Sequence, residues 1–185
     1  MEINFEDVTL RDMVATDIED DICWNTVETR WMDWDAPWEE DEPFDADKYR
    51  DKQMKRLAKP RDENGIRYEF EVDYKGRHIG SVNAYFIDEN YKWAREGRIA
   101  IGIDINEPEY WGKGIGGKVF AAYINYLFSM GYEEIYTQTW SGNKRMTAMA
   151  KRLGFVLCHR VVDEVEVWGK TYDVVTMRLG RDLHG

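Results

Sequence analysis

Residues 98–118, RIAIGIDINEPEYWGKGIGGK, constrain this chain more than any other stretch. They read as a strand, a short Pro-containing turn, and a glycine-rich loop that opens a helix. Along the strand, Ile99, Ile101, Ile103 and Ile105 fall on one face, and Arg98, Ala100, Gly102 and Asp104 on the other. The isoleucine face must be buried. The small, polar face leaves room for a further side-chain layer or for a ligand. In the loop, Gly112, Gly114, Gly116 and Gly117 have no Cβ, so backbone there can approach a ligand closely. The first amides of the helix lack internal partners, and with the helix dipole they form an anion site. A phosphorylated cofactor is the expected occupant; a plain tight turn is the alternative.

Two familiar motifs fit the loop only in part. Gly112, Gly117 and Lys118 match the start of a nucleotide P-loop, but Val119 stands where a magnesium-binding Ser or Thr is needed. Gly112, Gly114 and Gly117 match the dinucleotide fingerprint, which wants an acid about 20 residues later at the end of a second strand. Glu133 and Glu134 fall nearer the start of that strand.

A third match covers more of the chain. YWGKGIG at 110–116, followed by NKRMTAMAKRLGF at 143–155, resembles the acetyl-CoA-binding core of the GNAT N-acetyltransferases. With Trp111 beside the loop it looks most like the branch containing the ribosomal-protein N-terminal (alanine and serine) acetyltransferases. The resemblance implies an α/β fold: a mixed, mostly antiparallel sheet flanked by helices, with a splayed central strand that parts from its neighbour after a bulge. It implies acetyl-CoA as co-substrate, held by Ile103, Ile105, Trp111, Gly112, Lys113, Gly114, Ile115, Gly116, Gly117, Lys118, Asn143 and Met146. Within that set, backbone near Ile103 and Ile105 pairs with the pantetheine arm, Asn143 contacts it, and Lys113 and Lys118 offset phosphate charge. Asn143 also reads as a simple helix cap.

Acetyl transfer to an amine requires removal of the amine proton and polarisation of the thioester carbonyl. The resemblance places a Glu base at Ala100 and a Tyr acid at Ala150, and this chain has neither. Asp104 shares the strand face of Ala100, and Glu96 lies four residues before it. These two are the candidate bases, with capping or pairing as the alternative for Asp104. The missing Glu and Tyr also leave room for a non-catalytic acyl-CoA-binding sensor.

WNTVETRWMDWDAPW at 24–38 interleaves four tryptophans with acids. Aromatic faces with carboxylates suit a cationic amine; helix packing with solvated charges is the competing reading. Trp31, Asp33 and Trp34 are the candidate acceptor-binding residues. The expected acceptor is a primary amine, on a small molecule or a protein N-terminus, and the oligomeric state, a homodimer included, stays open. A net charge of −11 argues against nucleic acid or an anionic membrane as partner. No apolar run approaches the roughly 20 residues a membrane span needs. Cys23 and Cys158 make no disulfide framework, no basic and apolar leader opens the chain, and a cytoplasmic location is expected. Cys158 reads as a buried strand residue. His78, His159 and His184 are scattered, without metal-ligand spacing.

At 185 residues a single domain spanning 1–185 is expected. Its predicted elements are a strand over 5–10, helices over 17–26 and 45–59, and an irregular or helical segment to 44. Strands over 67–74 and 78–87 turn at Lys75-Gly76, and the strand over 98–105 follows. A helix over 114–130, a strand over 134–140, a helix capped by Asn143 and a closing hairpin over 155–179 complete it.

Overall fold

The structure is a computed structural model that describes residues 1–39 and 43–181. His184, Glu40, Asp41 and Glu42 thus lie outside the described residues.

The chain starts with a hairpin, β1 (Glu2–Phe5) and β2 (Val8–Arg11), where the sequence pattern predicts one strand over 5–10. Glu6 takes φ 55° and turns the chain back on itself. Two helices follow, α1 (Asp17–Thr26) and α2 (Ala46–Leu57). The Asp45 carboxylate accepts the Lys48 amide at the start of α2, a side-chain N-cap. Between them, Arg30–Asp33 forms a 3-10 turn. Then come β3 (Glu69–Tyr74), β4 (Arg77–Ile87), the two-residue β5 (Trp93–Ala94), which the sequence pattern does not signal, and β6 (Arg98–Ile105). Lys75 and Gly76 both adopt positive φ at the β3–β4 turn, as a two-residue hairpin loop demands. The remainder is α3 (Ile115–Ser129), β7 (Glu134–Trp140), α4 (Lys144–Arg152), β8 (Val156–Val167) and β9 (Lys170–Gly180).

The strands form one sheet in the order β1-β2-β3-β4-β6-β7-β9-β8, with β5 on β4. Every pairing is antiparallel except β6 with β7. One sheet face packs on α3, whose Val119, Phe120, Tyr123 and Leu127 meet Ile99, Ile101, Val72 and Phe70 in the main core. Ile103 and Ile105 pack at its margin, so the predicted isoleucine face is the core face. Cys158 corrects its expectation: it is exposed, because β8 is the sheet edge and its register on β9 shifts at Leu157/His159.

α1 is held to the sheet by charge. Arg11 forks onto Asp17 at 2.7 and 2.8 Å and onto Asp73 at 2.8 Å. Buried His78 on β4 meets Asp20 at 3.0 Å and Glu71 at 3.1 Å. Burial alone would depress its imidazole, but Glu71, Asp17 and Asp20 outweigh that and raise it. Asp21, half-buried near Glu71 and bonded by the Tyr49 hydroxyl, is pushed up to about 7, chiefly by burial. This gathering of acids around one imidazole is formed by the fold and has no counterpart in sequence spacing.

Candidate active site

The site grows from the parting of β6 and β7. Among the described residues the parallel register is confined to Ala100 opposite Tyr136. The Thr137 hydroxyl donates to the Ile101 carbonyl at 2.9 Å, and beyond it the strands separate. The expected bulge in the central strand does not form: β6 stays in continuous register with β4 from Arg98 to Ile105. β7 leaves instead, because antiparallel pairing with β9 along its whole length draws it away. The wedge opens into a cavity of about 570 Å³. Gly102, Ile103, Asp104 and Ile105 line one wall, and Gln138 and Thr139 another.

The glycine loop closes one end. Gly112 and Gly114 adopt φ 74° and 79°, a left-handed conformation that side chains resist. Gly114 is the cap residue of α3, and the Gly117 amide bonds back to its carbonyl at 3.1 Å. The Ile115 and Gly116 amides have no backbone acceptor among the described residues and stand at the positive end of a 15-residue helix. A Cβ on Gly116 would come within 3.3 Å of Met149 Sδ, so a side chain here would crowd Met149 on α4. The donors, dipole and open wedge fit a phosphorylated, amide-bearing ligand.

Other cofactor candidates divide. Trp111, Asn143 and Met146 line the cavity, and Lys144, which the sequence does not nominate, lines it with them. Trp111 donates its indole N–H to the Ile105 carbonyl at 2.6 Å. The Asn143 side chain accepts the Met146 amide at 3.0 Å and donates to the Trp34 carbonyl at 2.8 Å. It is a helix cap and a tie between the two halves of the site. Lys113 leans over the Tyr110 ring at 5.7 Å. Lys118 points away, to Glu6 and Asp7 at 2.8 Å each, and these acids consume its charge.

The aromatic segment covers the opposite side. Residues three apart in a 3-10 turn eclipse one another, which brings Trp31 and Trp34 to the cavity and leaves Asp33 outside it, exposed. The Trp31 indole donates to the Trp24 carbonyl at 2.8 Å. The Trp34 carbonyl accepts from Trp140 at 3.2 Å as well as from Asn143. Arg145 is stacked between Trp34, at 4.4 Å, and Trp111, at 5.0 Å.

Asp104 lies on the cavity floor, ringed by protein yet reached by water through the mouth. Burial, followed by the charge of Asp35, pushes its carboxyl up to about 7. Asp35, Gln138 and Arg145 join the site without being among the residues the sequence nominates, although Asp35 belongs to the same run of acids as Asp33. Glu96 is exposed on the turn before β6 and does not line the cavity. Ala100 and Ala150 are both 0 % exposed, so neither position borders the site.

A parallel pair splayed over a helix-capping glycine loop can seat a phosphorylated acyl donor, as an acyltransferase requires. Residues 7–156 match the family profile described as an acetyltransferase (GNAT) domain. The chain belongs to this family and is an acetyltransferase. Solved structures share its fold across almost the whole chain. A GNAT-family acetyltransferase from Bacillus anthracis superposes with TM-score 0.72 at 16 % identity, covering 98 % of this chain and 99 % of that one. A ribosomal-protein-S5-alanine acetyltransferase from Vibrio fischeri gives 0.72 at 19 %, covering 100 % and 99 %. Spermidine N-acetyltransferase from Vibrio cholerae, solved with CoA and spermine, gives 0.70 at 22 %, covering 96 % and 98 %. No curated protein matches the chain in sequence. Among the described residues no helix is long and apolar enough to cross a membrane.

Proposed function

We propose that this chain is an N-acetyltransferase that moves the acetyl group of acetyl-CoA to a primary amine. The observation that carries this reading is the wedge itself: a phosphate-type cradle at one end, and a half-buried carboxyl on the floor facing two tryptophans. Acetyl-CoA supplies the activated acyl group as a thioester. Its diphosphate is assigned to the Ile115 and Gly116 amides, and its pantetheine arm to the wedge beside Ile103. The acceptor enters on the side of Trp31, Trp34 and Asp104. Asp104 is the base in this proposal, because a carboxyl near 7 both accepts and releases protons at neutral pH. Glu96 is too far out on the surface turn to share that role.

The relatives with similar folds support an amine acceptor, and the tryptophan-lined, acid-floored cavity supports a cationic one. Protein N-termini, polyamines and other small amines all satisfy this chemistry. The test is CoA release from acetyl-CoA in the presence of an amine panel, with the product identified by mass. Release that depends on an amine, with a mass gain of one acetyl group, supports the reading. Tight acetyl-CoA binding without amine-dependent release would instead identify an acyl-CoA sensor, the reading favoured by alanines at 100 and 150.

A further inference from the structure

Asp104 does not face the cavity alone. The Trp34 carbonyl is pinned by Trp140 at the end of β7 and by Asn143 at the start of α4. That double tie sets the next residue, Asp35, at the cavity mouth, and Asp35 and Asp104 line the same cavity. Gly102, two residues before Asp104 on the same strand face, lines the same cavity, and the Asn83 carboxamide of β4 fills the place where its side chain would stand. Among the described residues, few charged and titratable groups line this cavity besides Asp104. They are Asp35 from the acceptor segment, Tyr110 from the loop before α3, and Lys144, Arg145 and Arg152 from α4. Tyr85 of β4 is also within the reach of Asp35's charge, and its hydroxyl is engaged with Gln138 at 3.3 Å.

We infer that Asp35 and Asp104 work as one proton-sharing pair that admits the acceptor as an ammonium and takes its proton. This rests on the acetyl-transfer reading and adds to it a second carboxylate. Two carboxylates in one cleft resist joint ionisation, so in the free protein the pair holds a proton. An ammonium between them relieves that repulsion and releases the held proton to solvent. One N–H proton of the ammonium then passes to Asp104, leaving a neutral amine with a free lone pair. The lone pair attacks the thioester carbonyl carbon; the C–N bond forms, and the C–S bond breaks with its electrons leaving on sulfur. The nitrogen sheds its second proton, which reaches the thiolate through water. Asp35 is a positioning residue in this scheme: it tunes Asp104 and attracts the cation.

The inference separates cleanly from a structural role for Asp35. Asp35→Asn and Asp35→Ser, with Asp104→Asn, are compared with the wild type from pH 5.5 to 9 by CoA release, using acetyl-CoA with 1,4-diaminobutane and with a peptide bearing an N-terminal alanine. Either Asp35 variant should move the acidic limb of kcat/KM down by about half a pH unit or more. Asp104→Asn should lose about 100-fold or more at pH 7, and adding Asp35→Asn should cost little further. In parallel, ¹³C-carboxyl NMR of the free protein titrates Asp104 without turnover and so covers the case in which neither amine is a substrate. The Asp104 midpoint should fall when Asp35 is replaced. An unmoved midpoint and an unmoved acidic limb in variants folded by circular dichroism overturn the pair, while a large loss in Asp104→Asn leaves the transferase reading standing. Full activity in Asp104→Asn overturns Asp104 as the base.

Discussion

Asp104→Asn should make the protein more stable while disabling it. The Asp104 carboxyl is held at about 7 against an ordinary value of 3.8, first by burial and then by Asp35. Between those two values the native chain keeps a proton that the unfolded chain has released. Native stability therefore falls as pH rises from about 4 to 7, and above 7 the full cost of an ionised carboxylate in the cleft is present. At about 1.36 kcal/mol per pH unit the upper figure is roughly 4 kcal/mol. Water at the cavity mouth screens the charge, which leaves about 1–2 kcal/mol. An amide of the same shape carries no such cost. Urea denaturation followed by circular dichroism should show Asp104→Asn more stable than wild type by about 1–2 kcal/mol at pH 8, a Tm gain of several degrees. At pH 4 the two curves should nearly coincide, since both side chains are then neutral. Asp21, also raised to about 7, is common to both proteins and cancels in the difference. A variant no more stable than wild type at pH 8 would refute the argument that Asp104 is ionised against the grain of its surroundings.

Five other substitutions probe the site. Gly114→Val forces a β-branched residue into φ 79°, and Gly116→Val drives carbon toward Met149; calorimetry should show acetyl-CoA affinity down by about tenfold or more, about 1.4 kcal/mol, in proteins that remain folded. Trp31→Ala should raise the acceptor KM several-fold while the acetyl-CoA Kd changes less than about twofold, and Asp33→Ala, outside the cavity, should alter neither; equal losses for both substrates would place Trp31 on the cofactor side. Lys118→Ala should leave acetyl-CoA affinity within about threefold, because Glu6 and Asp7 already hold that charge; a tenfold loss in calorimetry would return Lys118 to the phosphate site.

Elements with strong local signals are legible in the chain's own residue pattern. β6 and β7 form over the predicted residues, since alternation of branched apolar side chains marks a strand wherever one face is buried. α4 begins at the predicted cap, because the Asn143 carboxamide satisfies an amide of its own first turn. The opening strand is the exception: apolar residues on both sides of Glu6 and Asp7 look continuous, and only a positive φ at Glu6 divides them. The glycine loop is legible for the same local reason as the caps, as glycines at left-handed positions declare themselves by residue type. Spacing does not favour Asp35 over Asp33, because nothing in the run of acids marks where the 3-10 turn stops.

What the sequence by itself determined is whatever depends on neighbours along the chain: the strand faces, the caps, the left-handed glycines, and the pairing of loop and helix that makes an anion cradle. Tertiary structure decided what depends on neighbours across it. β9 draws β7 away from β6 and opens the wedge without the expected bulge. Glu6 and Asp7, on the turn of the first hairpin, capture Lys118 and remove it from the cradle. Asn143 and Trp140 pin Trp34 and so carry Asp35 to the mouth of the cavity that holds Asp104. A carboxylate's chemistry is set by the charges and water within a few ångströms of it, and for Asp104 those are supplied by residues far away in the chain.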